Sequence, residues 1–123
     1  MSVIDLKKEN GLPSIKYKVG EIQPATYKSK LVLDDGTRID IGNNSEITKV
    51  GSPQIDDVQM LHKASVIWDV RVVKATSKPG EKFAIKVKVF QQDTEICDPI
   101  SFEGEFGENQ AISWKESMIF NVS

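Results

Sequence analysis

Between Lys82 and Val89 the chain alternates without a break: Phe83, Ile85, Val87 and Val89 are apolar, while Lys82, Lys86 and Lys88 are charged and Ala84 is small. Side chains of an extended strand point alternately to opposite faces, so this pattern makes a strand with one buried and one wetted face. It is out of phase with a helix, whose apolar residues recur every three or four positions. The same rhythm returns in Ile15, Tyr17 and Val19, in Val66, Trp68, Val70 and Val72, and in Met118, Phe120 and Val122. A chain built on this period must bury the inner faces of β-sheets against one another or against a small covering element.

Two turns set expected registers, because a hairpin must place apolar residues opposite apolar ones on its buried face. At Asp34-Asp35-Gly36, a two-residue loop sets Leu31 against Asp40. A three-residue loop with Gly36 left-handed sets Leu31 against Ile39 and Lys30 against Asp40, and is the expected choice. At Ser77-Lys78-Pro79-Gly80, a four-residue loop would set Val72 against Ile85, Val70 against Val87 and Trp68 against Val89, making residues 66–91 one central hairpin. One short helix is expected after Ser52 as cap and Pro53 at the first helical position, with Ile55, Val58, Leu61 and His62 on one face. Together these predict a mainly β chain forming a single domain over residues 1–123. The pattern resembles an immunoglobulin-like or related antiparallel β-sandwich of about seven or eight strands. An OB-like small barrel is the alternative. The Cys/Trp/Cys spacing of true immunoglobulin domains is absent, so the resemblance is one of architecture.

Composition narrows the function classes. Hydrophobic residues make up 39% and charged residues 28%, and Lys+Arg at 16 nearly balances Asp+Glu at 18, which excludes a disordered polyelectrolyte and a histone-like basic protein. No apolar run approaches the roughly 18 residues of a membrane span, so no membrane partner is expected. The polar opening from Met1 to Asn10 does not read as a secretory signal, and the expected location is cytoplasmic or, for a viral chain, the virion. Cys97 and His62 are each the sole residue of their type, which rules out an intramolecular disulfide and a Cys/His zinc site. No catalytic signature surrounds either residue, and no strand is followed by a glycine-rich phosphate loop. The spacing of Asp93, Glu95 and Asp98 with Glu103 and Glu105 matches no dedicated calcium loop. The expectation is a chain that is not an enzyme and carries no cofactor.

Charge segregation is the most informative feature that remains. Arg71, Lys74, Lys78, Lys82, Lys86 and Lys88 stand against Glu81 alone, and residues 89–114 then carry Asp93, Glu95, Asp98, Glu103, Glu105 and Glu108 with no Lys or Arg. Cross-strand pairing between the two segments accounts for this without any partner. The functional readings are three. The first is a protein-interaction or self-assembly module acting through a sheet edge or face, with a protein partner or itself as a homo-oligomer; its candidate surface is Phe102, Glu103, Glu105, Phe106 and Trp114. The second is a small nucleic-acid-binding protein using the basic segment 71–88, with Arg71, Lys82, Lys86 and Lys88 as its polyanion surface. The third is a carbohydrate-binding module presenting Trp114.

Overall fold

The computed structural model describes residues 2–20, 22–41, 47–51 and 54–123. Among these, strands form two packed sheets. Sheet I is ordered β1 (Ser2–Leu6), β10 (Ala111–Val122), β6 (Ser65–Val73), β3 (Ala25–Val32), β4 (Arg38–Ile41). Sheet II runs β5 (Ile47–Lys49), β2 (Ser14–Lys18), β7 (Lys82–Gln91), with β8 (Thr94–Glu95) and β9 (Ile100–Glu105) both pairing the far side of β7. All pairs are antiparallel except β1 with β10, which is parallel. The architecture is the expected β-sandwich; the ten strands exceed the expected number because short pieces such as β5 and β8 carry too few residues to show a period.

The alternating apolar residues of both sheets meet in one core. Trp68, Val70 and Val72 from β6 and Ile85, Val87 and Val89 from β7 are all fully buried, with Ile15 and Tyr17 of β2 and Met118 and Phe120 of β10 around them. Tyr17 stacks on Tyr27 with ring centroids 5.3 Å apart, and its hydroxyl shares a buried hydrogen bond with Ser29, so a polar pin joins β2 of one sheet to β3 of the other. Burial of the Tyr17 phenol raises its pKa, partly offset by that bond.

The Asp34-Asp35-Gly36 turn forms as expected: Leu31 pairs with Ile39 and Lys30 with Asp40, and Gly36 has φ 90. The central hairpin does not form. β6 has β3 and β10 as neighbours, β7 has β2 and β9, and the two strands face each other across the core instead of pairing. The reason is physical: one apolar face per strand satisfies a hairpin partner and a strand in the opposing sheet equally well, so alternation identifies the buried residues without choosing between the two arrangements.

What joins the two strands is an arch over residues 74–81, closed by Glu81. Its carboxylate accepts from the Ala75 and Thr76 N–H groups at 2.8 Å each, from the Thr76 hydroxyl at 2.6 Å and from Gln23 Nε2 at 3.0 Å. These donors, the Thr76 side chain foremost, hold the carboxyl down from the ordinary 4.5 to about 2. A depressed folded-state value contributes stability that is complete above the unfolded pKa and is lost as pH falls through the folded one. Thermal melts of the wild type should therefore show this contribution above pH about 4.5 and its decay toward pH about 2. Glu81→Gln should flatten that part of the profile; an unchanged acid profile in the variant would contradict the latch.

The helix is also different from expectation. Ser52 and Pro53 lie outside the described residues, and the helical piece that follows them is a single 3-10 turn, Val58–Leu61, capped by the Asp57 carboxylate accepting from Gln59 N at 3.0 Å; another 3-10 turn spans Lys8–Asn10. Val58 and Leu61 are its buried residues, and their spacing of three needs only one tight turn to reach the core. His62 then leaves the turn, and its Nδ1 accepts the Val122 N–H at 3.1 Å, which ties the turn to the end of β10.

Candidate interaction surface

β2 and β7 run side by side in sheet II, and their odd-numbered inner positions are claimed by the core, so Lys16, Lys18, Lys86 and Lys88 all project from the outer face. Their register places like charges directly opposite one another: Lys16 pairs with Lys88 and Lys18 with Lys86. Such juxtaposition is unfavourable by some tenths of a kcal/mol per pair. Among the described residues none of these lysines makes an ion pair, and the ion pair there is Lys115 with Asp69, at 3.9 Å on sheet I.

The acidic segment does fold back beside the basic strand, as cross-strand pairing requires, with Glu105 opposite Lys82. The stagger, however, leaves the lysines unmatched, because Glu103 stands opposite Ala84 and Ser101 opposite Lys86. Glu95 stands opposite Phe90. The outer face of sheet II is therefore laterally divided, with a lysine strip on β2 and β7 and an acidic strip along β8 and β9. Between them an open depression of about 720 Å³ is lined by Lys86, Lys88, Glu95, Cys97 and Asp98.

The proposed polyanion set is thus rearranged. Lys86 and Lys88 sit in the strip and Lys82 lies at its far end beside Glu105, but Arg71 projects from β6 in sheet I, between Thr26 and Ser113. Lys16 and Lys18 replace it. Alternation in β2 already pointed these two outward, and only the pairing of β2 with β7 brings them to the others.

The aromatic set is mostly interior. Phe106 is 1% exposed and Trp114 9%, so both complete the core and neither offers a surface. Phe102, 38% exposed, lies over Trp114 with centroids 5.6 Å apart and rings nearly parallel, and it also touches Phe83. Trp114 is covered because Phe102 of β9 stacks over it near the start of β10, a tertiary packing that no local pattern announces. Glu103 and Glu105 are exposed on the outer face.

Gly104, between them, faces Phe83: a Cβ there would stand 2.9 Å from the ring tip, and Phe102 and Phe106 hold that ring from either side. Gly104→Ala should cost about 1–2 kcal/mol through overpacking. Urea denaturation checks this, and an unchanged midpoint would contradict it.

Edges are guarded. From Met118 onward β10 is paired by β1, but among the described residues its first half has no neighbour on that side, and there Glu116 turns its own carboxylate onto the Ser117 N–H at 3.0 Å. A charged side chain occupying an edge donor discourages strand addition, and the glutamates of β9 act likewise.

Cys97 and His62 are set on different sheets, Cys97 in the β8–β9 connection and His62 against Val122, so they do not meet as nucleophile and base. Burial first, then the charges of Glu95 and Asp98, push the Cys97 thiol up, which disfavours thiolate. Among the described residues no three His, Cys, Asp or Glu side chains converge as a metal site. No described helix is long and apolar enough to cross a membrane.

No protein-family model matches the chain, and comparison with curated proteins gives no significant match. Among solved structures, a domain of unknown function, DUF4425 from Bacteroides vulgatus ATCC 8482, is similar with a TM-score of 0.43 and 13% identity, over 87% of this chain and 94% of that one. That likeness is too distant to carry residues or roles from one chain to the other.

Proposed function

We propose that the chain is a non-enzymatic protein-interaction module whose working surface is the outer face of β2 and β7, and that it engages an acidic protein surface. The observation that carries this reading is the pair of cross-strand lysine couples, Lys16 with Lys88 and Lys18 with Lys86, without an ion pair among the described residues on an exposed sheet face. Four like charges held together on a rigid sheet raise the local potential and attract anionic groups, which lowers the repulsion that the free face carries. The single free Cys97 fits a cytoplasmic or virion setting.

The test uses two fluorescent anions, a polyglutamate peptide and a single-stranded oligonucleotide, titrated with the full chain at about 20 and 200 mM salt. Polyglutamate binding that weakens with salt and falls at least tenfold in Lys16→Gln/Lys88→Gln supports the reading. Stronger binding of the oligonucleotide would replace it with the nucleic-acid reading, for which Phe90 on the same face would supply a stacking group. No binding of either anion would overturn the lysine face as a binding surface for foreign acids.

A further inference from the structure

We infer that the acidic surface recognised by this face is the same face of a second copy of this chain, in a two-fold dimer whose axis runs along the strands of sheet II. This rests on the reading of the lysine strip as the binding surface and adds the identity of its occupant. The argument is charge complementarity. On one exposed face the lysines of β2 and β7 lie to one side and Glu95, Asp98, Glu103 and Glu105 to the other. Within one copy the strips lie side by side with their side chains pointing off the same face, so Lys86 and Lys88 approach acids only along the seam they share with Glu95 and Asp98. A two-fold axis parallel to the strands turns the copy face to face, exchanges its left and right sides and keeps each residue's level along the strand, so the two lysine couples land between Glu103 and Glu95 of the other copy. An axis across the strands would lay lysine on lysine and is excluded by repulsion. A two-fold contact also closes on itself, satisfying both strips twice and leaving no strip free for chain growth. The face is a few strands wide, each about 4.8 Å from the next, which is small for a permanent interface, so the dimer is weak and sensitive to salt.

Sedimentation velocity on the full chain tests this with Lys86→Glu/Lys88→Glu and Glu103→Lys/Glu105→Lys, all at exposed or half-buried outer-face positions. Thermal melts confirm that each variant is folded. The wild type should dimerise at low salt, with the dissociation constant weakening at least tenfold on raising salt from about 20 to 300 mM. Each reversed variant alone should be monomeric at concentrations where the wild type is a dimer. An equimolar mixture should recover a heterodimer, because the reversed β7 of one variant meets the reversed β9 of the other while the unreversed strips still match. A monomeric wild type at high concentration and low salt, a dimer that survives both reversals, or a mixture that fails to recombine would each overturn the inference. A monomeric wild type that still binds polyglutamate would remove the second copy and leave the lysine face standing; one that binds nothing would remove both.

Discussion

Trp68→Ala should destabilise the fold by about 3–5 kcal/mol, the largest effect expected of any single substitution considered. Trp68 is fully buried at the middle of β6, flanked in register by Ser29 and Glu116, and its ring meets Trp114 edge-on at 5.4 Å. Emptying that site removes the transfer energy of the indole and leaves a void that two sheets held apart by neighbouring side chains cannot fully close. Against a typical total of about 5–15 kcal/mol the loss is severe, and the melting temperature should fall by roughly 10–20 °C. Trp68→Phe should cost markedly less, since it keeps an aromatic filling and the indole N–H has no hydrogen-bond partner among the described residues. Differential scanning calorimetry of both variants checks the pair. An alanine variant melting within a degree or two of the wild type would show that β6 does not face β7 across a core.

Gln91→Leu should cost about 2–3 kcal/mol although leucine nearly matches the volume. Gln91 is 2% exposed at the inner end of β7, where an apolar residue is the simple expectation. Its amide instead satisfies the backbone that follows β1: Oε1 accepts the Lys7 N–H at 3.0 Å, and Nε2 donates to the carbonyls of Lys7 at 3.0 Å and Gly11 at 2.8 Å. Leucine leaves these groups to find water or go unpaired, and the price of an unmet backbone group is what decides the sign. Hydrogen exchange should quicken over residues 7–12 while the centre of β7 stays protected. Equal urea midpoints for variant and wild type would show that the Gln91 contacts contribute nothing.

These two residues show how far the sequence could be read. Trp68 declared itself, because it stands in phase with Val66, Val70 and Val72. Gln91 did not: it continues the inner phase of Val87 and Val89 but is polar, and only the remote Lys7 and Gly11 explain it. The Lys30 to Asp40 register was legible because a glycine at the left-handed position of a three-residue loop permits one pairing. The partner of β6 was not, since the inward residues of β6 and β7 are the same whether the strands pair or face each other. The turn after Gln91 hid for another reason. Gln92 and Asp93 both adopt positive φ, at 50 and 61, in a two-residue link between β7 and β8, where Asn-Gly would have marked the hairpin openly. Site residues followed the same division. Lys86 and Lys88 were found because one strand carries them, Lys16 and Lys18 were missed because a long-range pairing delivers them, and Arg71 was misplaced because its strand belongs to the other sheet.

On the proposed reading, the lysine face of sheet II is where this chain meets an acidic partner. Amide chemical shifts followed by nuclear magnetic resonance during titration with polyglutamate test it most directly. Shifts should concentrate at Lys16, Lys18, Lys86 and Lys88 and their strand neighbours, with the outer face of sheet I unmoved. Shifts centred instead on Lys28, Lys30 and Arg38, the exposed basic residues of β3 and β4, would contradict it.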